Sequence, residues 1–105
     1  MAQYQILYWH DIPTQVRARA GRERVSQPLP ARFMEAVDQA AMVLRSTSAD
    51  DYMAAFHWSE PVERPGSAQE VAAAVAAELD AQYPVIDWRR TVERVKAQQG
   101  ANSRE

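Results

Sequence analysis

The 105-residue chain contains no cysteine, which removes disulfides, thiolate metal sites, redox pairs and thiol nucleophiles together. Glycine is scarce, at three residues, and neither G-x-G-x-x-G nor G-x-x-x-x-G-K-S/T occurs, so the sequence carries no nucleotide loop. It has two histidines and no H-x-x-x-H or H-E-x-x-H spacing, a poor kit for a zinc site that needs three or four ligands. No serine lies in a nucleophile elbow. The expectation is a chain without metal or cofactor and without catalytic activity of its own. No run approaches the ~20 apolar residues of a membrane span, and MAQYQILYWHDIP has no charged region followed by a long apolar stretch. A soluble, cytoplasmic protein without a membrane partner is expected. Net charge is also small, at -2 with a pI near 5.7, so a phosphate backbone is a disfavoured partner.

What is present is enough for a core, since a chain of this size buries roughly two-thirds of its extended surface. Residues 3–10 are rich in aromatic and branched side chains and stop at Asp11-Ile12-Pro13, which predicts a strand. Alternation puts Tyr4, Ile6, Tyr8 and His10 on one face and Gln5, Leu7 and Trp9 on the other, so the strand belongs inside a sheet. Two short strands follow, over 15–19 and 22–26, around Ala20-Gly21, where glycine supplies the positive φ of a tight turn. With a loop of Ala20-Gly21, paired positions sum to 41. Val16 then faces Val25, Arg17 faces Arg24, and Arg19 faces Arg22. Four guanidinium groups would share one face, which calls for acids or an anion nearby, and Glu60 and Glu63 are the candidates within the chain. A one-residue bulge or a solvated edge with splayed side chains is the alternative.

After Pro28 and Pro30 the period changes. Phe33, Val37, Ala40, Ala41 and Leu44 recur at three and four, with Met34 beside them, predicting a helix over 31–45. Ser48 and Asp51 resemble a capping box for a short helix over 49–56 with Tyr52, Met53 and Phe56 inward. Prolines 61 and 65 make 57–63 an edge strand or extended segment. Ser67 and Glu70 form a second capping box, ahead of an alanine-rich helix with Val71, Val75, Leu79 and Tyr83 on one side and Pro84 at its end. Asp87 caps a last helix, in which Trp88, Val92 and Val95 share a face and Gly100 marks the fraying end. The predicted class is α+β: a small antiparallel sheet of three to four strands, made of the N-terminal strand, the hairpin and an edge segment, packed with about four helices. One domain covers 1–99, and 100–105 is a polar tail.

His10 with Asp11, and His57 with Glu60, are the only pairs suggestive of acid-base chemistry. Neighbours on a strand point to opposite faces, so His10 and Asp11 are expected to be poorly placed for each other, and His10 and His57 are not expected to share a site. The tryptophans at 9, 58 and 88 are expected to be core residues in at least two cases, with Trp9 and Trp58 in or beside the core. Arg17, Arg19, Arg22 and Arg24 remain as the candidate interaction surface for an acidic protein partner.

The strings YQILYWHDIP, VRARAGRERVSQPLPARFMEAVDQAAM and DDYMAAFHWSEPVERPGSAQEVAAAVAAELDA, in this order, resemble the bacterial virulence factor family, similar to the C-terminal domain of conserved virulence factor C. The resemblance covers about residues 3–83. It implies a binding module in longer relatives, where the domain is appended to a helical-repeat scaffold, and an accessory role in folate- and corrinoid-linked methyl transfer in free-standing ones. From Pro84 onward the chain departs from that pattern, which marks the last helix as its own feature. Two functions are therefore in view: a non-catalytic interaction or regulatory module, or an accessory subunit of a metabolic enzyme.

Overall fold

The first strand, β1 (Ala2–Trp9), lies inside the sheet, with strands paired along both of its edges. The computed structural model describes residues 1–44 and 49–102. β2 (Ile12–Ala20) pairs antiparallel with β1 from Gln3↔Arg19 to Trp9↔Ile12, and β3 (Glu23–Pro28) pairs antiparallel with β2. On the other edge of β1 two short strands lie end to end. β4 (Phe56–Trp58) pairs with Leu7, Tyr8 and Trp9, and β5 (Val62–Arg64) pairs with Ala2, Gln3 and Tyr4. The predicted edge segment is thus two strands divided at Ser59-Glu60-Pro61. Proline cannot donate there, and Ser59 makes good the gap: it donates its N–H to the Ile6 carbonyl and accepts the Ile6 N–H on Oγ, both at 2.8 Å.

Two details correct the expected strands. His10 and Asp11 form the two-residue turn between β1 and β2, so His10 is not a strand residue; its φ is 55°. The β2–β3 loop is Gly21-Arg22 instead of Ala20-Gly21, and paired positions sum to 43: Ala18↔Val25, Arg19↔Arg24 and Ala20↔Glu23. Gly21 has φ 59°, and His10 is the only non-glycine residue with positive φ among the described residues, so Arg22 follows with negative φ. That sequence of signs belongs to a type II′ turn, with glycine at its first central position.

The helices are α1 (Ala31–Val43), α2 (Ala49–Ala54), α3 (Ala68–Gln82) and α4 (Trp88–Asn102). α1 buries Phe33, Val37, Ala40 and Ala41 as its period requires, while Met34 lies at the margin of the stripe. The Ser48 cap lies outside the described residues. α2 stops at Ala54 so that Phe56 can pair with Trp9; Tyr52 still packs inward, but Met53 points outward at 62% exposure. Both halves of the Ser67–Glu70 capping box are present on α3. Asp87 accepts the Arg90 N–H at 3.3 Å, and α4 continues past Gly100 to Asn102.

The core has two lobes. Val71, Ala72, Val75 and Leu79 of α3 cover Val16 and Ala18 with Tyr4, Ile6 and Val25 beside them, joined by Phe33. The second lobe holds Trp9 and Ile12 against Ala36, Val37 and Ala40 of α1 and Val92 of α4. Ion pairs of Arg64 with Glu78 at 2.7 Å and of Arg32 with Asp80 fasten α3 to β5 and α1. Because Phe33 is fully buried in the first lobe, Phe33→Ala is expected to lower unfolding stability by about 3–5 kcal/mol, whereas Met53→Ala changes it by less than about 0.5 kcal/mol. Urea unfolding of the two variants checks this contrast.

Candidate functional site

The alternation that sends Val16 and Ala18 inward turns Arg17 and Arg19 to the opposite, exposed face of β2. Cross-strand pairing carries the pattern sideways. Gln5, Arg17 and Ser26 form one row, and Glu63, Gln3, Arg19 and Arg24 form the next. Three of the four expected arginines therefore share the outer face, with Arg19 directly opposite Arg24; Arg22 sits in the turn. The cleft they frame, about 340 Å³, is lined by Gln3, Gln5, Arg17, Ala18, Arg19, Arg24 and Pro61, with no helical residue lining it among the described residues.

Neutral groups hold Arg17 and Arg19. Arg17 donates through Nε and Nη2 to the Gln5 Oε1 at 3.1 and 2.8 Å, and its guanidinium carbon lies 3.8 Å from the centre of the Trp58 ring. That is cation–π distance. Gln5 is itself oriented by donating Nε2 to the Ser59 carbonyl at 3.0 Å. Arg19 makes a longer contact to the Gln3 Oε1 at 3.4 Å. None of Arg17, Arg19, Arg22 and Arg24 is in an ion pair among the described residues, whose ion pairs join Arg32, Arg64 and Arg94 to acids elsewhere. Glu63 lies in the arginine row but across Gln3, and Glu60 is exposed outside it.

Trp58 is thus a correction. Trp9 is fully buried and Trp88 packs on the second lobe, but Trp58 is half-buried on the outer face beneath Arg17. Its phase is set by pairing with Leu7, a contact between residues far apart in sequence. Gln3 and Gln5 were also unmarked as site residues, although their alternation with Tyr4 and Ile6 places them on the polar side.

The histidines require a second correction, since both line one cavity of about 350 Å³ with Asp11, Thr91 and Arg94. A left-handed turn residue escapes strand alternation, and histidine is among the residues that tolerate it. The His57 Nε2–H donates to the His10 carbonyl at 2.7 Å, and the His10 N–H donates to the Ala55 carbonyl at 3.0 Å. Asp11 accepts the Thr91 hydroxyl on Oδ1 and the Arg94 Nη1 on Oδ2 at 2.7 Å, tying the turn to α4. Asp11 and His57 are therefore engaged as braces. Glu60 does not line the cavity, and no group of three or more metal-ligating side chains occurs among the described residues.

These elements define an α+β domain that carries an arginine-bearing sheet face and a cavity of mixed polar and apolar lining at the first turn. The chain belongs to the virulence factor family, whose family model matches residues 7–98. The match reaches into α4, so this helix is part of the family pattern and not a private addition. Neither a comparison with curated proteins nor one with solved structures finds a match.

Burial lowers the His10 pKa from the ordinary 6.5; Asp11 opposes the shift and His57 adds to it. The unfolded chain therefore takes up this proton at higher pH than the folded one. The contribution to stability is complete above the unfolded value and is lost as pH falls through it toward the folded pKa. His10 is expected to titrate by NMR with a midpoint below 6.5. The stability advantage of the native chain over His10→Asn, which keeps a residue suited to positive φ, should shrink between about pH 8 and about pH 5.

Proposed function

We propose that this protein is a non-catalytic, cytoplasmic interaction module that docks an acidic protein segment on the outer face of its sheet. The observation that carries this reading is that Arg17, Arg19 and Arg24 share an uncovered face, and that Arg17 and Arg19 are held by glutamine side-chain oxygens and a tryptophan in place of carboxylates. Like charges directly opposite on a sheet repel, and a partner's carboxylates remove that cost while engaging guanidinium groups two bonds at a time. Arginine over tryptophan is also the combination that anchors protein interfaces. A net charge of -2 argues against a nucleic-acid strand in the same place, because the rest of the molecule repels it.

A second reading, an accessory subunit contributing to a metabolic enzyme in folate- or corrinoid-linked methyl transfer, is supported by the cavity that His10 and His57 share. The readings separate by mutation. The double variant Arg17→Glu/Arg24→Glu is expected to weaken binding of a glutamate-rich peptide roughly tenfold or more, followed by tryptophan fluorescence, with stability unchanged within about 0.5 kcal/mol. Equal binding by the variant, or preference of the native chain for a single-stranded oligonucleotide, overturns the docking reading. Loss of a partner enzyme's turnover on His10→Asn/His57→Gln, with partner capture intact, would favour the second.

A further inference from the structure

We infer that the open edge of β3 is a strand-addition site for an extended protein segment that alternates acidic and small apolar residues. The inference rests on the docking reading and specifies the shape of the partner. β3 has a single strand neighbour, β2, among the described residues. A two-residue loop closes on a hydrogen-bonded pair, here Ala20↔Glu23, and such pairs then alternate along the hairpin. Glu23, Val25 and Gln27 therefore turn their backbone groups toward β2. The Leu29 N–H, which donates to the Thr14 carbonyl at 3.2 Å, continues the same phase. Arg24 and Ser26 consequently direct both N–H and C=O away from the sheet, joined by the carbonyl of Pro28. Proline suits its position because the donor it lacks would lie on the open side.

The two faces of this edge set what an added strand must carry. Residues directly opposite Arg24 and Ser26 would lie on the outer face, where Arg24 and Arg19 call for carboxylates. Intervening residues would fall on the inner face beside Gln27. There a groove of about 400 Å³ runs between the end of β3 and α3, lined by Leu29, Ala73, Ala76 and Ala77 together with Asp80, whose carboxylate is already paired with Arg32, and alanine leaves room for small apolar side chains. Backbone bonds give such a complex its affinity and alternate side chains give it specificity. A second copy of this chain would bring its own arginines to the face, so the occupant is a different, acidic segment.

Hydrogen exchange on the full chain tests the inference, with a short synthetic peptide alternating Glu and Val as probe. A peptide of the same composition, with its glutamates and valines grouped, serves as control. In the free protein the Arg24 and Ser26 amides should exchange quickly and those of Val25 and Gln27 slowly. Saturation with the alternating peptide should slow Arg24 and Ser26 by roughly tenfold or more and leave Val25 and Gln27 as they were. Ser26→Pro, which removes an outward donor only, should abolish that binding while retaining the native amide spectrum. If both peptides bind equally, are lost on Arg17→Glu/Arg24→Glu, and leave the Arg24 and Ser26 amides unprotected, strand addition is overturned and the basic face stands. If neither peptide binds, both readings fail.

Discussion

The register of the β2–β3 hairpin decides what this protein shows to its surroundings. Gly21 takes the first central position of the turn at φ 59°, a conformation that costs glycine nothing and almost every other residue something. From that one backbone choice follows the sum of 43, the opposition of Arg19 and Arg24, and the phase in which β3 faces outward with Arg24, Ser26 and Pro28. The same phase buries Ala18 and packs the half-buried Val25 against the lobe that α3 covers. A slip by one residue would exchange these faces, putting guanidinium groups into the core, so the fold and the surface are set by the same alternation.

Behind the hairpin, β1 bears the structure because everything else in the sheet pairs with it directly or through β2. Its polar side chains have acquired organising tasks. Gln5 links the loop at Ser59 to Arg17, so the position of the central guanidinium depends on how the β4–β5 connection is held. At the end of β1 the turn residue Asp11 does the equivalent for α4 through Thr91 and Arg94. Neither link is a hydrophobic contact. They fix orientation within a frame that the two apolar lobes stabilise.

Periodicity and capping made much of this frame legible in the sequence. The stripe of α1, the Ser67–Glu70 box and the central place of the first strand could all be read locally, because each depends on residues within a turn or two of one another. The basic face was legible for a further reason: moving the loop from Ala20-Gly21 to Gly21-Arg22 changes the pair sum from 41 to 43, and a shift of two preserves which side each residue faces. Only Arg22 lost its place. What could not be read was non-local or conformational. Trp58 reaches Arg17 through a pairing between residues about fifty positions apart, and His10 left the strand through a single left-handed residue, bringing His57 and Asp11 to one cavity. No pattern of polar and apolar residues encodes either event.

The arrangement of strands around β1 also orders events in time. β2 and β3 can zip onto β1 through local turns, since all three lie within the first 28 residues. The other edge of β1 waits for β4 and β5, which arrive only after α1 and α2. The Leu7–Trp9 edge of β1 is covered only through pairing with β4, about fifty residues further along the chain. Closing it requires a long loop, the slow class of contact in folding.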